Sequence, residues 1–297
     1  MRIACFDIGR CNFAYYIEEI DENNYEDLNE MFKKLPKKLQ RKYGGEMNPK
    51  IDYIQLQLFK RGKRIKMQVV DLTKDEETNK YTNNVRYKLY TFLNSLKELW
   101  NTCDIFVIEE QYYNPHAKYK EARGVNKDAI LMGESCYTYF IHNFHPHKEV
   151  CYFKASLKTQ TLGCPSQIMN IDESGYRSYV KMKKCDRKKW SIEKAKKIFE
   201  LRDDTEAIQQ LSNKKQKQDD VSDCVIMCQA RILKLLVFRD EEKCDVKLND
   251  KSLKYLRSKM TELKIPNRSK ITTKKEMCIA IDKYIKQHSQ NNNGENC

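Results

Sequence analysis

Glycine and proline are scarce, nine and six in 297 residues, which excludes collagen-like and linker-type chains. Nowhere do about 20 apolar residues run together, the length that a membrane-spanning helix needs. The twelve cysteines include no Cys-x-x-Cys pair. Scattered thiols in a chain without a signal peptide suggest reduced cysteines in a cytosol-like compartment. The apolar start Ile3-Ala4-Cys5-Phe6 is stopped by Asp7, too early for a secretory leader, and reads as a first strand. The sequence holds neither a Walker-type phosphate loop nor a GxSxG nucleophile elbow, so ATP use and α/β-hydrolase chemistry lack support.

Charge is what the chain has in plenty. Lysine and arginine number 56 against 42 acids, a formal net charge of +14. Such an excess points to an anionic partner, nucleic acid first. A lysine-rich, A+T-rich genome would produce the same composition with no functional meaning. Hydrophobic residues make up 40% and charged residues 33%, so solvated insertions or tails should surround an ordinary core. With 18 Tyr and 11 Phe, the chain is too aromatic to be wholly disordered.

Residues 2–9 and 12–17 read as two strands around a turn at Gly9. Residues 18–50 are polar and punctuated by Pro36, Gly44-Gly45 and Pro49, and read as an insertion outside the core. Residues 51–59 and 65–72 read as a hairpin. Val85, Leu89, Phe92, Leu93, Leu96 and Leu99 follow helical spacing over 83–100. Residues 104–109 read as a buried strand ending in acid, 125–144 as a helix and 149–154 as a strand. Helices are expected over 189–201, starting near Asp186 or Ser191, and over 219–238. This order predicts an α/β fold with a mixed sheet. The main domain spans 1–240, a basic helical module 241–288, and a tail disordered by composition 289–297.

Four carboxylates fall where strand and helix ends bring side chains to an edge: Asp7, Glu109, Asp220 and Asp223. Asp220 and Asp223, three apart, share one helix face, among the apolar Val221, Val225 and Ile226. Like charges gathered on inward faces need a cation. Hard carboxylate oxygens suit Mg²⁺ or Mn²⁺, and two such ions ~3.5–4 Å apart can activate water and stabilise a leaving oxygen. Each acid also has an ordinary reading: Asp7 as a turn cap beside Gly9, Glu109 as a solvent-facing strand end, and Asp219 as a helix N-cap. Asp223 resists one, because it interrupts an apolar helix face. The run 181–190 (KMKKCDRKKW) contains Lys183, Lys184, Arg187, Lys188 and Lys189, suited to holding phosphates or simply a solvated helix start. Tyr112 and Tyr113 follow the Glu109 strand and either stack on unpaired bases or pack locally. His142, His145, His147 and Cys151 have a spacing that invites a zinc site, but they bridge a helix end and a strand start with no second Cys pair beside them, and Cys224 and Cys228 read as core.

The segments FDIGRCNFAYYI (6–17), VIEEQ (107–111) and KQDDVSDC (217–224) resemble the motifs of RuvC-like Holliday junction resolvases of the poxviral and fungal mitochondrial branch. The match covers about residues 1–238, with Cys224 in place of a Ser or Ala. The resemblance implies an RNase H-like mixed sheet flanked by helices and catalytic, metal-holding roles for Asp7, Glu109, Asp220 and Asp223. It also implies Mg²⁺ (or Mn²⁺), and a homodimer that nicks four-way DNA junctions in paired strands. By the same analogy the dimer seam lies on the 125–144 helix, with Ile130, Leu131, Met132, Cys136 and Tyr139, a face that could equally be core. The setting implied is a viral or mitochondrial replication site, cytoplasmic or nuclear, and not secretion or a membrane. The C-terminal module loosely resembles a SAP-type DNA-binding hairpin, the alternative being a small basic helical hairpin that docks on the main domain. Alternatives are another RNase H-like nuclease, acting on flaps or RNA–DNA hybrids, and a non-catalytic DNA-binding protein.

Overall fold

The computed structural model describes residues 1–36, 49–77, 80–111, 126–171, 177–213 and 217–238, and scattered positions between 256 and 284. The chain divides into two compact units, Met1–Arg239 and Asp240–Cys297.

The first unit is built on β1 (Arg2–Asp7), whose Ile3, Ala4, Cys5 and Phe6 are all fully buried. A strand apolar on both faces belongs in the middle of a covered sheet. It pairs antiparallel with β2 (Phe13–Glu19) and parallel with β4 (Ile105–Glu110). β3 (Lys63–Val70) adds antiparallel to β2, and β5 (Glu149–Lys154) adds parallel to β4. The sheet order is β3-β2-β1-β4-β5, with β2 antiparallel to its neighbours; this is the RNase H-like order. Gly9 makes the β1–β2 turn possible, because a Cβ there would stand 2.9 Å from the Asn12 carbonyl oxygen.

Alternate residues of β1 feed two cores. Ala4 and Phe6 pack with Tyr15, Phe106, Trp100 and Phe140 under α3 (Asn83–Ser95), α4 (Lys97–Asn101) and α5 (Lys127–Phe144). Ile3 and Cys5 pack on the other face. That face is covered by α1 (Glu26–Lys33), α2 (Pro49–Phe59), α7 (Lys184–Glu200), α8 (Thr205–Ser212) and α9 (Gln218–Ile232), the last continuing into a π-helical turn, Leu233–Val237. Truncating a core aromatic such as Phe106 or Phe140 should cost ~3–5 kcal/mol.

Several expectations need correction. Residues 51–59 form helix α2 and not a strand. Ile54, Leu56 and Leu58 alternate as in a strand, but Ile51, Ile54, Gln55, Leu58 and Phe59 are the ones buried, which is helical spacing, and Pro49 suits a first helical turn. The insertion is not outside the core either: Tyr25, Leu28, Phe32 and Leu35 are buried. Phe32 lies 4.3 Å, centroid to centroid, from Phe238, and Asn29 Nδ2 donates to the Val237 carbonyl at 2.6 Å. The polar average of 18–50 hides this short i, i+3, i+4 stripe. Of the two readings of the α5 face, seam and core, Met132, Cys136 and Tyr139 take the second: they are buried in their own chain. Of that set only Ile130 and Leu131 reach the surface, Leu131 at 48% exposure.

The sequence reading did not anticipate α6 (Ala155–Thr161), α8, or a separate two-stranded ribbon, β6 (Gln167–Ile171) and β7 (Arg177–Lys181). The second unit has its own core of Leu256, Met260, Ile265, Met277, Cys278 and Ile281. Residues 256–257, 260–261, 276–281 and 283–284 are helical.

Candidate active site

Parallel pairing of β1 with β4 puts Phe6 beside Ile108, so the next residues along, Asp7 and Glu109, stand together at the C-terminal edge of the sheet. Helix α9 packs across β1 and β2 and brings Asp220 and Asp223 to the same place. All four acids line one cleft of about 390 Å³. The opposite wall comes from α6, with Ser156 and Lys158, and from α7, with Lys184, Arg187 and Lys188.

Lys158 is the residue that sequence reasoning missed. It is 5% exposed, and its Nζ lies 2.6 Å from Glu109 Oε1 and 2.8 Å from Asp223 Oδ2. Burial disfavours its charge, but Glu109, Asp7 and Asp223 outweigh that and hold the ammonium protonated. The ammonium stands among acids that would otherwise repel one another. Among the described residues no three or more His, Cys, Asp or Glu form a ready-made metal cage; the Lys158 ammonium takes part of the space between them. No sequence motif marks Lys158, since a lysine in ASLKTQT looks like any solvated lysine.

The acids differ in their protonation. Burial, and then the neighbouring Glu109 charge, push the Asp7 carboxyl well above the usual carboxylate range. Glu109 feels the same burial, but Lys158 more than offsets it, helped by hydrogen bonds from Asp7, Lys158 and Gln111, so Glu109 is held low. The two neighbouring carboxyls are thus pushed in opposite directions, Asp7 up and Glu109 down. Burial also raises Asp220, with Lys217 working against it. Lys217 Nζ is 3.1 Å from Asp220 Oδ1 and 3.0 Å from Oδ2, yet only the first contact has hydrogen-bond geometry, and Oδ2 is buried with no hydrogen-bond partner. A buried, unsatisfied carboxylate oxygen among hard oxygen donors fits a divalent cation.

The basic residues divide. Lys184, Arg187 and Lys188 line the cleft, whereas Lys183 and Lys189 are exposed outside its lining. Helix α7 begins at Lys184, earlier than expected, so these charges sit on its first turns. Asp186 accepts from the Lys183 backbone N–H at 3.2 Å. Asp219 is not the N-cap of α9, a position held by Lys217. It pairs instead with Lys188, which holds its carboxyl below the usual range against the effect of burial. Tyr112 and Tyr113 lie outside the described residues.

No family model matches the chain. The uncharacterized protein 170L of Invertebrate iridescent virus 6 is 32% identical over 252 residues, 79% of this chain and 89% of that protein. Among solved structures, the chain is similar to the Fowlpox virus resolvase in complex with Holliday junction DNA, with 16% identity, a TM-score of 0.41, and coverage of 80% of this chain and 99% of that one. It is also similar to the yeast mitochondrial Holliday junction resolvase Ydc2, with 11% identity, a TM-score of 0.40, and coverage of 80% and 85%. Identity at this level across most of both sequences decides kinship, and the strand order decides architecture: the chain belongs to the family of protein 170L of Invertebrate iridescent virus 6, and its fold is RNase H-like.

Proposed function

We propose that this protein is a metal-dependent, structure-selective DNA endonuclease that resolves four-way junctions by paired nicks. The observation that carries the reading is the meeting of Asp7, Glu109, Asp220 and Asp223, from three separate elements, in one cleft rimmed by Lys184, Arg187 and Lys188. Four acids with two lysines in direct contact, Lys158 on Glu109 and Asp223 and Lys217 on Asp220, leave an excess of negative charge that a structural role does not call for. Asp7, Glu109, Asp220 and Asp223 would hold Mg²⁺ or Mn²⁺, which supplies an activated water and stabilises the departing oxygen of a phosphodiester. Lys184, Arg187 and Lys188 hold the scissile strand's phosphates against the acids. Lys158 bridges Glu109 and Asp223 and places a positive charge in the cleft, where charge develops on a reacting phosphate.

The four-way junction as substrate rests on the motifs at 6–17, 107–111 and 217–224. Two symmetric nicks call for two equivalent sites, hence a homodimer. Cleavage of a panel with Mg²⁺ and with a chelator tests the reading. The panel comprises a four-way junction, a flap, a linear duplex and an RNA–DNA hybrid. Paired nicks confined to the junction and dependent on metal are expected. Preferential cutting of the flap or hybrid would replace resolution by another nuclease activity, and no cutting of any substrate would leave a DNA-binding protein.

A further inference from the structure

The β6–β7 ribbon stands apart from the main sheet, closed at its base by the Met182 N–H donating to the Ser166 carbonyl at 3.0 Å. Register pairs Met169 with Tyr179 and Ile168 with Val180. Met169 and Tyr179 therefore share one face, at 45% and 64% exposure, and Val180 on the other face is 41% exposed. A strand packed on either side would bury alternate residues; none of the described side chains of the ribbon is buried. An isolated two-stranded ribbon is marginal in water, so one carrying large apolar side chains on open faces is built to meet a surface.

Charge decides which surface. Neither strand contains an acid, and Arg177 and Lys181 at the two ends of β7 are both exposed. From Arg177 to Lys189 the chain carries seven basic residues and one acid, Asp186, whose carboxylate accepts from the Lys183 N–H. The ribbon's root runs through Met182 and Lys183 directly into Lys184, which lines the cleft. A two-stranded ribbon has the width to enter a DNA major groove. Arginine and lysine at its edges match phosphates, and Tyr and Met match sugars and bases.

We infer that the β6–β7 ribbon is a DNA-binding element that grips the nucleic acid next to the active cleft, with Arg177 and Lys181 on phosphates and Met169 and Tyr179 against sugars or bases. The choice of DNA rests on the nuclease reading above. The test uses the full chain in chelator, measuring the dissociation constant for a four-way junction and for linear duplex across a range of salt. R177A/K181A should weaken binding, and two lost phosphate contacts should make the log–log salt slope shallower by about 1.8. M169S/Y179S should weaken binding about tenfold with the slope unchanged. K63A/K97A, which removes the same charge at the opposite edge of the sheet, should change neither. All these side chains face solvent, so unchanged thermal melting verifies the fold. Unchanged affinity and slope in both ribbon variants would overturn the inference. So would a shift to lighter species in sedimentation with DNA affinity intact, since the ribbon would then join two copies of this chain. The two readings fail separately. A wild-type protein that cuts nothing, yet binds DNA through the ribbon, refutes the nuclease and keeps the ribbon. A protein that cuts junctions while both ribbon variants bind as wild type refutes the ribbon alone.

Discussion

Two groups of charges are buried against the same helix, α9, and they are built on opposite principles. In the first, Glu18 of β2 is fully buried beside Arg202. Glu18 Oε1 accepts from Arg202 Nη2 at 2.8 Å, and Oε2 accepts from the Tyr16 hydroxyl and from Gln229 Nε2, each at 2.6 Å. The rest of the guanidinium donates to the Phe59 and Arg61 carbonyls at 2.6 and 3.0 Å. Burial, and then the charge of Glu18, keep the Tyr16 hydroxyl protonated and donating. One negative charge meets one positive charge, both of them fully bonded. Gly62, at φ +112°, closes over the pair, and a Cβ there would fall 2.2 Å from Glu18 Oε1. In the second group, Asp7, Glu109, Asp220 and Asp223 have two lysines in direct contact, Lys158 and Lys217, in an open cleft, and one buried oxygen of Asp220 has no hydrogen bond. A neutral, sealed pair holds a fold together. An unbalanced group that opens to solvent is held in readiness for something that brings positive charge.

The largest effect expected from this contrast is on chemistry. Asp7→Asn or Asp223→Asn should reduce junction nicking to background while the protein stays folded and binds DNA at least as well, since a repelling charge is gone. Gel assays of nicking beside anisotropy measurements of binding check both halves. A variant that cuts at the wild-type rate would remove that acid from the site. Next comes the sealed pair. Arg202→Met leaves Glu18 buried without its cation and should cost ~3–5 kcal/mol, read as a fall in the denaturant midpoint that Mg²⁺ does not restore.

Lys158→Met should destabilise by less, ~1–3 kcal/mol, because water and ions reach the cleft and screen the acids left behind. Here Mg²⁺ should recover part of the lost melting temperature, whereas in Arg202→Met it should recover none. Equal rescue of both variants would erase the distinction between the two groups. The smallest effect belongs to a third pair, nearer the surface. Arg64 holds Asp204 through Nε–Oδ2 at 2.7 Å and Nη2–Oδ1 at 2.9 Å, and this keeps the Asp204 carboxyl below its usual range. A carboxyl depressed in the folded state stabilises above its unfolded pKa of about 3.9, and that contribution is lost as pH falls below it toward the folded value. Asp204→Asn should therefore flatten the acid limb of the stability curve by under ~1 kcal/mol and leave stability near pH 7 little changed beyond the lost ion pair.

Legibility followed locality. β1, β4 and β5 are short apolar runs with an acid or a turn at one end, and such runs need no partner to be recognised. The spacing of Asp220 and Asp223 on an apolar helix was readable for the same reason. Residues 51–59 were misread because their apolar residues satisfy period two and period 3.6 together, and only the neighbours of Ile51, Ile54 and Leu58 decide between the two. The stripe of Tyr25, Leu28 and Phe32 was lost in a polar stretch, since its partner Phe238 lies far along the chain. Lys183 and Lys189 look the same in sequence as Lys184 and Lys188, and helix phase alone separates cleft from solvent.

By itself the sequence determined the residue types: which strands are apolar on both faces, which acids interrupt them, and where positive charge accumulates. Those are properties of a residue and its near neighbours, carried by hydrophobicity and period. Only the tertiary structure decided that Lys158 stands between Glu109 and Asp223, that Glu18 is sealed by Arg202, and that the β6–β7 ribbon is left open. Each of these joins or separates segments tens of residues apart, and the energy of a buried charge depends on what surrounds it in space, which no local pattern encodes.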